Sequence, residues 1–398
     1  MNVKEEKLLS QNSIISRFQV MLMACTAGIS VANIYYNQPI LKDIATTFHT
    51  SESKAGFISM LSQVGYGLGL FFITPLGDKM NKKDLIIALQ TLLLAALLLI
   101  TIAGDIMQVW ALSMLIGLLS VSVQVVMPMA AGLDSESRGK NVGTVFTGVL
   151  IGILAARVFS GTIAEWLGWR YVYLFSAIAV ALVTILMRIY LPDVKNPFKG
   201  NYLQLMVSAL RQVKRFSLLR VTSLIGALQF GLFCSFWTTL TFHLSGAPFY
   251  FHTNVIGLFG LVAIAGALLA PFLGKKTDKG KTGYIRMAAW CLVMVSILLM
   301  ILFPTSVLLL VLAVLLLDIG ILALQVTNVA LIYSLDETSH SRINTIFMTS
   351  VFTGGALGTT FGLFCWQHWG WQGVTWQMLI FGLLIFMLLM QEKRAHVY

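Results

Sequence analysis

Runs of about 20 apolar residues, each closed by a short polar break, recur along the whole chain. That is the length an α-helix needs to cross the hydrocarbon core of a bilayer, and few other folds use it repeatedly. The runs predict twelve helices, near residues 18–41, 53–76, 84–104, 108–131, 142–165, 170–191, 218–244, 254–274, 285–303, 307–331, 344–366 and 372–390. Of all residues, 58% are hydrophobic and 11% charged, against about 25% charged in a soluble domain. Outside a membrane that much apolar surface would aggregate. The short alternating segments of a β-barrel do not occur. The expected fold class is an all-α integral membrane protein.

A net charge of +11 could mark a nucleic-acid binder, but its placement argues for topology. With both termini assigned to the cytoplasm, 23 of the 27 Lys and Arg residues fall in cytoplasmic segments and only Lys42, Lys54 and Arg170 fall outside. This is the positive-inside bias of a multi-pass protein of the cell inner membrane. It leaves membrane lipids as partners and gives no case for nucleic acid. Trp166, Trp169, Trp366, Trp369 and Trp371 are predicted at outer helix ends, as an aromatic belt. Cys25, Cys234, Cys291 and Cys365 lie singly in apolar runs, and the six histidines show no ligand spacing, so neither metal nor cofactor is expected. No cleavable signal peptide is expected, because residues 1–16 are polar and the run after them is long enough to stay in the membrane.

The chain repeats itself. A shift of 202 places Asp134 on Asp336, and Gly148, Gly152, Ala156 and Ser160 on Ser350, Gly354, Gly358 and Gly362. It also places Gly168–Trp169 on Gly370–Trp371, while a shift of 200 puts Asp78–Lys79 on Asp278–Lys279. The expected domains are a six-helix bundle over 1–192, a cytoplasmic linker over 193–217 and a second bundle over 218–398. Six crossings return the chain to its starting face, so the halves run parallel and a substrate path between them is expected.

Several stretches carry a family resemblance. "TPLGDKMNKK" (74–83) resembles the loop between the second and third helices of the major facilitator superfamily, with Leu76, Asp78, Lys79, Lys82 and Lys83 fitting by identity or charge. Thr74, Gly77 and Asn81 depart from that pattern. "APFLGKKTDKG" (270–280) is its weaker copy, and "SESRGK" and "GWR" also resemble this superfamily. "NIYYNQPIL" and "GLLSVSVQVVMP" are similar to a bacterial subgroup of drug or sugar efflux permeases. The resemblance covers residues 17–390. It implies that the first, fourth, seventh and tenth helices line a cavity and that the fifth faces the eighth. It also implies a cytoplasmic gate in which Asp78 bonds a helix N-terminus or Arg138, with Lys79 and the copy Asp278 beside it. Two departures weaken a transfer of the superfamily's antiporter mechanism: Ser113 stands where an arginine precedes a glycine, and Gly152–Ile153 where Gly-Pro is usual.

Two ionisable side chains fall deep within predicted spans. Arg157 lies in the fifth, beside a stripe of small residues (Thr144, Gly148, Gly152, Ala156, Ser160) that lets backbones approach, and the stripe is expected to form a seam against the eighth helix. A mid-bilayer charge costs about 2.5–3.5 kcal/mol on insertion scales, so Arg157 should face protein or cavity. It either contacts an anionic or polar substrate or binds carbonyls and a hydroxyl structurally. Its repeat partner is Thr359, so the charge belongs to one half only. Asp318 lies mid-way in the tenth helix; it is the candidate proton carrier, and its alternative role is packing. Polar groups predicted near the path are Tyr35, Tyr36, Asn37 and Gln38 before a bend at Pro39, with Gln124, Gln325 and Asn328; Trp237, Thr238 and His243 are weaker candidates.

No phosphate-binding glycine loop and no nucleophile or paired-acid constellation occurs. The expectation is a monomeric secondary transporter of a small molecule, working by alternating access, with proton-coupled efflux weighed against uptake or uncoupled passage of a polar or anionic solute. An enzyme is not expected.

Overall fold

A computed structural model describes residues 16–133, 137–193, 202–262, 282–336 and 339–395. Among these residues all regular structure is helical. The first predicted span is two helices, α1 (Arg17–Tyr35) and α2 (Asn37–Thr47), so the bend falls ahead of Pro39. α3 (Glu52–Phe72), a short turn α4 (Leu76–Lys79) and α5 (Lys82–Thr101) follow. The fourth span is α6 (Ile106–Leu119), a 3-10 turn at Ser120–Ser122 and α7 (Val123–Gly132), which contains Pro128. α8 (Arg138–Leu167) and α9 (Trp169–Tyr190) complete the first half. The linker contains a helix that the apolar runs do not announce, α10 (Tyr202–Arg215). The second half contains α11 (Ser217–Ser245), α12 (Thr253–Val262), α13 (Thr282–Leu302), α14 (Val307–Tyr333) and α15 (His340–Ala395).

Local chemistry sets several of these boundaries. Ser16 and Gln19 form a reciprocal capping box at α1, and Ser51, Asn81 and Asp105 accept from free amides at the starts of α3, α5 and α6. Ten stretches of the described residues are long and apolar enough to cross a membrane. The last, Arg342–Glu392, has 51 residues, and at ~1.5 Å per residue it would far exceed a bilayer core. It breaks at Gly370, whose φ of 58° lies in the left-handed region that glycine adopts without strain.

The small-residue stripe has a different partner from the one expected. Gly148 and Gly152 pack on the α1 backbone, where an added Cβ would come within 2.3 Å of the Ala24 carbonyl oxygen and 2.2 Å of the Gly28 carbonyl oxygen. The second half repeats the device, with Gly354 and Gly358 of α15 against Ala227 and Gly231 of α11. The approach to α12 uses the neighbouring face of α8: Gly257 sits on the Arg157 carbonyl and against Gly161, and Gly260 on the Arg157 side chain. Four-residue spacing repeats almost once per turn, so α8 carries two such faces side by side, and the pattern alone does not say which neighbour each one meets.

Apolar side chains form two large clusters, one mostly from residues 20–191 and one from residues 232–378. The outward faces are also apolar, with Leu92, Ile178, Leu182, Ile185, Leu308 and Ile380 exposed, as a lipid-facing surface requires. The expected tryptophan belt holds in part. Trp166 and Trp369 are exposed, whereas Trp169 and Trp371 are buried because their rings are used internally, on Tyr173 and on His243.

Candidate functional site

Arg157, two thirds of the way along α8, is 1% exposed and has partners from both halves of the chain. Its Nε donates to Gln38 Oε1 of α2 at 2.8 Å. Its guanidinium carbon lies 3.8 Å from the centre of the Trp237 ring of α11, with Tyr35 and Phe233 at 5.5 and 5.9 Å. Aromatic faces carry partial negative charge, so three rings hold the cation in a place where water is excluded. Its Nη2 has no hydrogen-bond partner among the described residues.

Asp318 is buried in α14, and neither of its carboxyl oxygens has a hydrogen-bond partner among the described residues. Arg157 is its charged neighbour and the Trp237 indole lies beside it, so one ring adjoins both groups. No ion pair joins Arg157 and Asp318 among the described residues. An unmet buried donor or acceptor costs about 1–3 kcal/mol, more when charged. Two such groups, one from each half, thus lie in one neighbourhood beside the Trp237 ring.

The other candidate residues divide by environment. Tyr35 belongs to the box around Arg157, while Tyr36 packs on Phe159 at 5.7 Å. Asn37 ties α2 to α3, accepting from Ser59 and donating to Ser62. Gln124 donates to the Tyr66 hydroxyl at 3.1 Å. Gln325 and Asn328 both bond to Gln229, at 2.8 and 3.0 Å. Asp78 is half-buried at the end of α4 with Lys82 as its charged neighbour, and Lys79 is exposed. Asp278 and the Arg138 side chain lie outside the described residues.

Three contributors were not singled out in the sequence: Phe233, Gln229 and Gln63, whose Oε1 accepts from Thr359 of the second half at 3.2 Å. An amide inside an apolar run is the available signal. It selects Gln63 and Gln229 by the rule that selected Gln124 and Gln325. Trp237 carries far more of the site than a place among the weaker candidates implied.

The model of the Major Facilitator Superfamily matches residues 23–342. The chain belongs to the major facilitator superfamily. As a superfamily member it is a transporter and not an enzyme. It is 39% identical over 361 residues to "Uncharacterized transporter YgaY" of Escherichia coli O157:H7, covering 90% of this chain and 91% of that one. It is 29% identical over 356 residues to "Probable transporter SCO4007" of Streptomyces coelicolor, covering 89% and 82%. A more distant relative is Citrate exporter 1 of Aspergillus niger, 27% identical over 205 residues, covering 47% of this chain and 37% of that one. Among solved structures, an inward-facing, occupied bacterial homologue of the human lysosomal transporter Spinster superposes with a TM-score of 0.73 at 13% identity, covering 94% of this chain and 95% of that one. At that identity the likeness shows the fold.

Proposed function

We propose that this superfamily member exports a small organic molecule across the cytoplasmic membrane in exchange for protons, by alternating access. Twelve crossings in two six-helix bundles, over 1–192 and 218–398 with both termini cytoplasmic, rock about the site between them. The observation that carries this reading is the pair of buried, incompletely partnered ionic groups, Arg157 of the first half and Asp318 of the second. A guanidinium with a free Nη2 suits a carboxylate or other oxyanion of the cargo, because its planar fork pairs with such groups. A carboxyl whose access to water alternates can bind a proton on one side and release it on the other. Gln38, Gln124, Gln325 and Asn328 supply neutral bonds to the remaining polar atoms of the cargo, and Asp78, Lys79, Arg138 and Asp278 close the cytoplasmic side. The protein works as a monomer.

The distant citrate exporter makes organic acids the first cargo class to screen by thermal shift, beginning with citrate. Flux of a cargo so identified is then measured in proteoliposomes under an imposed pH gradient. The expected result is flux that follows the gradient in the wild type. In Asp318→Asn, cargo exchange persists while the response to the gradient is lost. Wild-type flux indifferent to the gradient would instead favour uncoupled passage of a polar or anionic solute, as do the superfamily departures at Ser113 and Gly152–Ile153.

A further inference from the structure

At the face where α2 ends and α12 begins, the two halves are tied by charged and polar bonds that the central site does not use. Two adjacent residues of α2 grip both ends of one second-half loop. The Lys42 ammonium donates to the carbonyl of Ser245, the last residue of α11. Asp43 Oδ2 accepts from the hydroxyl of Thr253, the first residue of α12, at 2.9 Å. Glu165, near the end of α8, accepts from the Thr253 backbone N–H at 3.1 Å and pairs with His252 at 3.0 Å. A cation thus sits on a helix C-terminus and two carboxylates on a helix N-terminus, each complementing the helix dipole it meets. Every one of these bonds joins the first half to the second, so all must break for this face to open.

We infer that this latch is a second proton-binding site, in which Asp43 takes up a proton as the face closes and releases it as the face opens. The two carboxylates differ in what holds them. Glu165 has two donors, an amide and His252. Asp43 has one, a hydroxyl that can turn and accept instead of donate, so the bond survives protonation. Burial raises the Asp43 carboxyl above its ordinary value and the Glu165 charge adds to this, against the opposing pull of the Thr253 hydroxyl and of Lys42. The other charged groups near α2 are engaged elsewhere: Arg170 of α9 lies 5.6 Å from the Phe48 ring and donates to the Ala103 carbonyl, and Glu52 of α3 accepts from Trp366.

The direction of the effect follows. A carboxyl raised in the latched state and hydrated in the open one binds its proton more tightly when latched. Protonation therefore favours closure. The contribution is complete below the ordinary carboxyl value near pH 4 and is lost as pH rises through the raised one. Acidity at this face closes it.

The test is a distance measurement across the face, with no cargo needed. Spin labels are placed at Thr46→Cys and Thr305→Cys, both exposed, in the full chain with its four native cysteines replaced, in lipid nanodiscs. Pulsed electron–electron resonance then follows the closed population from about pH 4 to about pH 9. The expected closed-to-open ratio falls with rising pH, by up to about tenfold for each unit that separates the two states' pKa values. Asp43→Asn, which keeps the shape of a protonated carboxyl, is expected to stay closed at every pH. Glu165→Gln removes the like charge and moves the transition to lower pH. The series is repeated in the Asp318→Asn background, where any contribution of the central carboxyl is removed and the Asp43-dependent transition is expected to remain. A wild-type distance that ignores pH, a transition that persists in Asp43→Asn, or one abolished by Asp318→Asn would each overturn the assignment.

Discussion

Arg157→Ala is expected to abolish transport while leaving the protein folded and inserted, and Arg157→Lys is expected to recover little of it. The guanidinium makes a directed bond through Nε to Gln38, and its carbon lies 3.8 Å from the centre of the Trp237 ring. Lysine keeps the charge but has no planar fork and only a compact, strongly hydrated head. The loss of a hydrogen bond involving a charged group is worth about 1.5–3 kcal/mol, which is roughly ten- to hundredfold in affinity. The check is cargo affinity and flux in both variants, at equal incorporation and with melting temperatures compared. Wild-type flux in Arg157→Lys would return Arg157 to the structural role that the sequence leaves open. The Ala variant carries a second expectation. Arg157 is the charged neighbour of Asp318, so its removal leaves that carboxyl with no opposite charge beside it, and gradient coupling should change along with affinity.

The legible and illegible parts of this molecule follow from what a linear pattern can encode. Length and polarity of the runs reach the membrane class, and charge asymmetry predicts orientation, because both depend on each helix separately. Arg157 and Asp318 stand out because an ionic group in an apolar run is costly wherever it ends up. Their neighbourhood is set by contact between halves, and nothing in either run specifies it. The same limit explains the stripe on α8. Spacing shows that one face is small, and only packing shows that it meets α1 while Arg157 and Gly161 meet α12. Trp237 was undervalued for a related reason. Many rings line apolar runs, and what distinguishes this one is a cation that arrives from another helix. Nothing in the sequence marks the latch residues Asp43 and Glu165, since a carboxylate near a helix end is ordinary until a threonine from the other half is placed on it.

Gly152→Ala is expected to destabilise the protein strongly, in a position where the same change normally does the opposite. In a helix interior alanine is favoured over glycine by about 1 kcal/mol. Gly143, on the same helix with nothing within 4 Å of an added Cβ, should show that ordinary sign as Gly143→Ala. At Gly152 the new carbon would lie 2.2 Å from the Gly28 carbonyl oxygen, with the Gly28 backbone carbons at 2.6 Å. No side chain is there to rotate away, so α1 and α8 must separate as rods. Overpacking that side chains can absorb costs about 1–3 kcal/mol, and a backbone obstacle belongs at or beyond the top of that range. Gly358→Ala should cost as much, since its Cβ would lie 2.2 Å from the Gly231 carbonyl oxygen in the repeated contact. Thermal melts of the three variants in detergent provide the comparison, and the sign at Gly143 against that at the other two is the decisive quantity. Equal, small effects at all three would mean that α1 and α8 have room to slide over each other. A large cost at Gly152 and Gly358 alone would mean that the α1–α8 and α11–α15 contacts are fixed backbone-to-backbone packing within each half, whereas at the α8–α12 boundary Gly260 meets the Arg157 side chain.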